Sequence, residues 1–377
     1  MGPRLLAYTT MVAVAVLHGP QPLLPQIAAE FSLGPERAAL VTTAALVPLS
    51  LLPLLYGYLL ESVRAQRVIT ASLWVLLGST FAIAWVPAFA PLLALRVVEG
   101  MAVPAILTAL MTQISRATPP ERMGRTMGFY IAATIVGGFL GRAATGVVSS
   151  LFDWRASFLF LSAGVLLCLA LHARRRGDVT LTLARPTLAD IGRTLHDRYY
   201  LLAYAAIFCV FFVFMAALNF LPFRMVELDP SVSGAGIGLM YSGYLVGVAV
   251  ALAAPRIAQR AGGEPAMVLA GIALFGLSTA LWAVGGIAAM YLNMLLFCAG
   301  MFTVHSLLSG MLNARAREHK GVVNGLYVAA YYAGGTLGSV LPGLVYRAQG
   351  WQAFVAVLTA MAALAFVLAL TLRSRQG

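Results

Sequence analysis

Charge is what this chain has least of. Aspartate, glutamate, lysine and arginine make up 10% of its 377 residues, with 13 acidic side chains against 25 basic ones. So few charges cannot solvate the surface of a globular protein of this length. Cysteines number three, at positions 168, 209 and 298, an odd set that builds no disulfide framework. H-E-x-x-H, G-x-S-x-G and the Walker lysine motif are absent, which argues against a metalloprotease, a serine hydrolase and an ATP-driven pump. No enzyme activity, cofactor or bound metal is therefore expected. Polar stretches are also missing, with one exception between His172 and Arg198.

What the chain has is apolar sequence. Hydrophobic residues make up 61% of it and the mean hydropathy is +0.88. A bilayer core of about 30 Å takes about 20 apolar residues per helix. Twelve such segments can be placed, at 5–29, 38–60, 68–88, 91–114, 126–149, 156–172, 199–222, 234–254, 265–285, 289–312, 322–346 and 351–372. The first is too long for a signal-peptide core, and Pro20, Pro22 and Pro25 stand where a cleavage site would need small residues, so it reads as a retained helix. With the N-terminus inside, only Arg37, Arg155, Arg224 and Arg347 fall outside and only Arg96 and Arg142 within helices; the other basic residues lie on the inner side. By the positive-inside rule both termini are cytoplasmic. The formal charge of +12 is thus a topology signal and implies no nucleic-acid partner.

The chain also repeats itself. Glycines at 128, 137, 138, 141 and 146 reappear at 325, 334, 335, 338 and 343 on adding 197, which also carries Tyr130 to Tyr327 and Trp154 to Trp351. A fixed internal period marks a duplication. The polar break divides the copies into a six-helix half at 1–172, a cytoplasmic linker at 173–198 and a six-helix half at 199–377. Within the linker, Leu188 to Leu195 reads as a short amphipathic helix on the inner surface. Two related halves around a linker are the plan of secondary transporters, which bind solute between them near the midplane. Glycines a turn or two apart in an apolar helix make a groove for a neighbouring helix.

Three motifs give that plan a family. The loop Gly57-Tyr-Leu-Leu-Glu61-Ser-Val-Arg64-Ala-Gln-Arg67 resembles the major facilitator signature G-x-x-x-D-R-x-G-R-R/K, with Glu61 in the place of the aspartate. The run Arg96-Val-Val-Glu99-Gly100 resembles that superfamily's R-x-x-Q-G motif. The spacing Gly128, Gly137, Gly141, position 142 and Gly146 resembles the fifth-helix antiporter motif G-x8-G-x3-G-P-x-x-G-G, with Arg142 in the proline's place and Thr145 in that of a glycine. The resemblance implies an all-α membrane protein of twelve transmembrane helices in two pseudo-symmetric halves. It further implies alternating access, with Gly57, Glu61, Arg64, Gly128, Gly137, Gly141, Arg142 and Gly146 in conformational gating. It favours proton-coupled efflux of a small organic solute across a bacterial inner membrane, by a monomer in the lipid bilayer.

Individual side chains refine that expectation. Arg96 and Glu99 are three residues apart and share a helix face. A lone charge at membrane depth costs at least about 2.5 kcal/mol, so they form either a neutral brace or a proton-coupling pair. His18, Asn219, Tyr241, Tyr244, His305 and Tyr331 are candidates for the substrate cavity, each with ordinary packing as its competing role. Met290, Met294, Cys298, Met301 and His305 recur at steps of three and four along the tenth segment, a face of soft donors suited to Cu(I) or simply to helix packing. A metabolite importer, a copper importer along that face and a non-transporting sensor are the alternatives.

Overall fold

In the computed structural model, residues 3–59, 63–118, 120–173, 188–260, 262–316 and 320–374 are described. In chain order the helices are α1 (Pro3–His18), α2 (Leu24–Glu30), α3 (Pro35–Ala38), α4 (Leu40–Leu59), α5 (Ala65–Ile83), α6 (Phe89–Ala117), α7 (Pro120–Leu151) and α8 (Trp154–Ala173). There follow α9 (Leu188–His196), α10 (Arg198–Leu228), α11 (Gly234–Met240), α12 (Gly243–Arg260), α13 (Glu264–Leu281), α14 (Ile287–Arg315), α15 (Lys320–Gly338) and α16 (Leu341–Arg373). Among the described residues, nine helical stretches are long and apolar enough to cross a membrane. The first span is assembled from α1 and α2, the second is α4, and the stretch Gly321–Arg373 contains two spans, which completes twelve. Gly350, at φ +80°, separates those two; only glycine adopts this left-handed backbone without strain. Trp74, Trp85, Leu151, Phe152 and Leu292 are among many large apolar side chains left exposed, as a lipid-facing surface requires.

The described chain groups into two compact units. Unit 1 contains Met1–Leu33, Leu40–Leu183 and Ser231–Tyr241; unit 2 contains Gly34–Ala39, Ala184–Pro230 and Ser242–Gly377. Unit 1 thus holds α11, which packs on α7, and unit 2 holds α3, which packs on α16. Inside each unit the duplication is visible as repeated packing. The pairs α1 with α7, α4 with α6, α5 with α6 and α5 with α8 in unit 1 correspond to α10 with α15, α12 with α14, α13 with α14 and α13 with α16 in unit 2.

The repeat extends to single atoms. A Cβ added to Gly137 would lie 2.6 Å from Met11 Cα, and one added to Gly334 would lie 2.9 Å from Phe208 Cα. Gly141 meets Ala15 Cα at 2.6 Å as Gly338 meets Phe212 Cα at 2.6 Å. Each partner pair is again 197 residues apart. These glycines let two backbones touch where the bilayer supplies no hydrophobic drive for helices to associate. Where the helices end, Arg155 donates to the Val86 carbonyl at 3.1 Å and Gln352, its counterpart, to the Ala283 carbonyl at 2.8 Å.

At that end of unit 1 the Glu30 carboxylate accepts from Trp154 Nε1 at 2.6 Å and from Arg155 at 2.5 Å. The Arg155 guanidinium, helped by the indole, holds this carboxyl below its usual range. Glu30 is the last residue of α2, beyond the apolar run 5–29, and is 38% exposed, so solvent screens the pair to roughly 0–1 kcal/mol. A depressed carboxyl stabilises the fold above its unfolded pKa and loses that contribution as pH falls through the folded value. Glu30→Gln is accordingly expected to lower the melting temperature slightly at pH 7, with the deficit shrinking as pH falls below the usual carboxylate range. A deficit that persists unchanged at low pH would show that the charge is not what matters.

Proline decides where the spans break. Pro20 has no N–H for the Val16 carbonyl, and Pro22 has none for that of His18. As a result α1 stops at His18, a short 3₁₀ turn covers Gln21–Leu23, and the span resumes as α2. The single helix expected over 5–29 is therefore two. In unit 2 the break falls elsewhere: α10 runs from Arg198 to Leu228 with Pro222 inside it, whereas α15 ends at Gly338 and α16 begins at Leu341. Pro342 causes this second break by withholding a donor from the Gly338 carbonyl. Its counterpart by the repeat is Thr145, and α7 passes that point as one helix.

Candidate functional site

A broken helix inside a membrane exposes carbonyls that must find donors. In unit 1 Arg96 of α6 supplies them. Its Nη1 donates to the Val16 carbonyl at 3.1 Å, Nη2 to that of Leu17 at 2.7 Å and Nε to that of Val41 at 3.0 Å. Arg96 is thus a cation at the C-terminal end of α1, where the helix dipole favours positive charge. Glu99, one turn along α6, takes a further bond from Arg96 Nη1 and accepts from Thr80 of α5 at 2.6 Å. Both members of the pair are 0% exposed. This one ion pair therefore ties together α1, α4, α5 and α6.

Arg142 lies one helix away and is also fully buried. It donates to Gln21 Oε1 at 2.5 Å and to the Gly138 carbonyl at 2.6 Å, and its guanidinium sits 5.0 Å from the centre of the Tyr241 ring. Thr145 continues the capping by donating to the Gly19 carbonyl at 2.7 Å. His18, the last residue of α1, is half-buried and within electrostatic range of both Arg96 and Arg142. Its Nδ1 has no hydrogen-bond partner among the described residues. Gly146 meets α11 backbone to backbone, with a Cβ there 3.0 Å from Gly238 Cα.

Unit 2 presents a different chemistry. His305 of α14 has its Nδ1 2.9 Å from the Tyr327 hydroxyl, and its ring lies 4.9 Å from that of Tyr331. Further along the same two helices, Asn313 and Asn324 exchange a pair of amide hydrogen bonds at 2.9 and 2.8 Å. These side chains are half-buried, except Tyr327, which is buried.

Several expected cavity residues lie in the packing. Asn219 is 0% exposed and donates to the Ser339 carbonyl at 3.2 Å, so it caps the α15 break as Arg96 caps that of α1. Tyr241 and Tyr244 are 0% and 6% exposed, Tyr241 under Arg142 and Tyr244 against Phe214 and Phe302. Tyr241 lies in the turn between α11 and α12 and Tyr244 on α12, and neighbouring side chains cover both rings. Met290, Met294, Cys298 and Met301 are likewise core side chains, 4% exposed or less. Among the described residues no three His, Cys, Asp or Glu side chains form a metal-binding group. Of the gating candidates, Gly128 and Gly57 lie in helices and Arg64 is exposed; Glu61 falls outside the described residues. Thr80, which donates to Glu99, and Gln21, which accepts from Arg142, were not legible as site residues. For Arg96 the sequence signal was Pro20, which announces that the Val16 carbonyl will need a donor.

The profile described as Major Facilitator Superfamily matches residues 6–316. The Inner membrane transport protein YnfM of Escherichia coli (strain K12) is 27% identical over 363 residues, spanning 94% of this chain and 87% of that protein. The uncharacterized MFS-type transporter YybF of Bacillus subtilis (strain 168) is 25% identical over 354 residues, with 92% and 87% covered. Among solved structures, the nucleoside transporter NupG superposes with a TM-score of 0.82 at 12% identity over 99% of both chains. A bacterial homolog of the human lysosomal transporter Spinster gives 0.81 at 13% identity, over 99% of this chain and 96% of that one. Identities this low speak for the fold, and the profile speaks for the family. A buried arginine–glutamate pair at the break of the first span, two repeated six-helix halves and a match over most of the length lead to one conclusion: this multi-pass membrane transporter belongs to the Major Facilitator Superfamily.

Proposed function

We propose that the protein exports a small organic solute from a bacterial cell in exchange for protons, by alternating access in the inner membrane. It works as a monomer with both termini in the cytoplasm, and its halves are 1–172 and 199–377, joined by the linker 173–198. One observation carries the reading: Glu99, a titratable group with no exposed surface, is bonded to Arg96, and Arg96 is bonded to the carbonyls of two other helices. A proton on Glu99 weakens its hold on Arg96, and a loosened Arg96 frees the end of α1. Protonation and helix arrangement are thereby linked, and linkage is reciprocal. His18, beside both arginines, is the candidate for solute contact in unit 1, and His305 and Tyr331 are the candidates in unit 2. The glycine and arginine spacing of α7 supports export.

The test uses the full-length protein in lipid vesicles. Solutes are first ranked by how far they raise its melting temperature, since a ligand stabilises what it binds. The best is then followed across the membrane under an imposed pH gradient. Solute movement opposite to the protons is expected, and Glu99→Gln should abolish the response to the gradient while leaving solute exchange intact. A full gradient response in Glu99→Gln would reject the coupling role, and movement in the direction of the protons would reject export.

A further inference from the structure

Twice the chain lends a short helix to the other unit. It leaves unit 1 after Leu33, seats α3 in unit 2 and returns at Leu40; it leaves unit 2 after Pro230, seats α11 in unit 1 and returns at Ser242. Adding 197 carries 34–39 onto 231–236, so the exchange is itself part of the repeat. The seats are repeated as well. Gly146 of α7 meets α11, and its counterpart Gly343 of α16 meets α3, where an added Cβ would lie 3.1 Å from Glu36 Cβ. One turn further along, Ser150 Oγ accepts from the Ala235 N–H at 2.7 Å, and its counterpart Arg347 donates to Glu36 Oε1 at 2.7 Å.

The two seats differ in charge. Residues 231–241 contain no Asp, Glu, Lys or Arg, whereas α3 buries an acid. Glu36 is 4% exposed and the Arg347 side chain 67%. The carboxylate folds back over Gly34, where an added Cβ would lie 2.8 Å from Oε1, and Oε2 has no hydrogen-bond partner among the described residues. Arg347 is the one ion-pair partner of Glu36 among the described residues. The pair is therefore lopsided. Taking away the acid leaves an arginine that is already in water, but taking away the arginine strands a desolvated carboxylate. The strap also begins at a forced turn: Ser32, at φ +52°, is the one described residue other than glycine at positive φ, a conformation that persists only while its surroundings impose it.

We propose that α3 is a charge-controlled clasp: Arg347 keeps it on α16 by neutralising Glu36, and when Arg347 is drawn away the stranded carboxylate lifts the strap into water and frees that crossing. That the clasp opens and closes in each transport cycle rests on the transporter reading above. The dependence of the seat on Arg347 does not.

The test uses the full-length protein in lipid nanodiscs. Ala38→Cys is introduced at a position of α3 that is 0% exposed, and its labelling by a water-soluble maleimide is followed. The native cysteines are buried, and protein without the added cysteine sets the background. Arg347→Gln is expected to speed labelling about tenfold or more. Glu36→Gln should label within about twofold of the parent, because it removes the buried charge together with the bond. Adding Glu36→Gln to Arg347→Gln should bring the fast rate back to that level. Hydrogen exchange at residues 34–39, read by mass spectrometry, should give the same order and needs no added cysteine, so it decides the matter if Ala38→Cys does not fold. Equal acceleration by Glu36→Gln and Arg347→Gln would reveal a symmetrical brace and overturn the clasp. An Arg347→Gln protein that labels and exchanges like the parent, or a double replacement that stays fast, would overturn it too. The expected order in a protein that moves no solute under a pH gradient would keep the clasp and reject the transport reading. Gradient-driven transport with labelling unaltered in Arg347→Gln would do the reverse.

Discussion

Arg96→Met is expected to be among the most damaging single replacements in the chain, costing about 3–5 kcal/mol, the usual consequence of removing one partner of a buried ion pair. The loss has two sources. Glu99 is left at 0% exposure without its counter-charge, and the carbonyls of Val16, Leu17 and Val41 lose their donors at once. Arg96→Lys should recover only part, because an ammonium on one stem cannot reach three carbonyls and a carboxylate as a planar guanidinium does. The double replacement Arg96→Met with Glu99→Leu separates the sources: it removes the stranded charge but not the stranded carbonyls, so it should melt between the parent and Arg96→Met. These are melting measurements on detergent-purified protein. An Arg96→Met protein that melts with the parent would show that the α1 break is capped in some other way.

Gly137→Leu and Gly334→Leu are expected to be nearly as costly, and for a related reason. The added side chain would meet backbone, Met11 Cα at 2.6 Å in one case and Phe208 Cα at 2.9 Å in the other. No rotamer change relieves a clash with backbone, so α1 must leave α7, or α10 must leave α15. Overpacking costs about 1–3 kcal/mol in ordinary cores, and here the loss of a whole helix contact puts the expectation at the upper end. Transport should vanish in both. Gly78→Leu and Gly310→Leu, where an added Cβ meets nothing within 4 Å, serve as controls and should melt and transport like the parent. If all four behave alike, close approach at the glycines is not what holds these helix pairs.

What could be read in advance follows from what is local. Twelve spans come from runs of apolar residues, the duplication from a constant offset, and the pairing of Arg96 with Glu99 from their positions on one helix turn. The rest depends on partners far along the chain. Nothing near Arg96 says that it reaches carbonyls about 80 residues earlier, or that Asn219 reaches one 120 residues later. A stripe such as Met290, Met294, Cys298 and Met301 shows that a helix has a face but not what the face meets, and here it meets the core. The prolines were the overlooked clue. Pro20, Pro22 and Pro342 each remove a donor, and polar side chains from other helices gather at the two breaks, Arg96 on the Val16 and Leu17 carbonyls and Asn219 on that of Ser339.

Those prolines also give the two halves different mechanics. In unit 1 the glycine-packed pair joins a jointed first span, α1 with α2, to a continuous rod of 32 residues, α7. In unit 2 the continuous member is α10, with 31 residues, and the jointed one is its partner, α15 running into α16. Each pair therefore combines one stiff and one flexible element, but duplication has exchanged which is which. A force that bends the first span of one half meets, at the equivalent position in the other, a member that resists it. Two copies with the same packing respond to load as different machines.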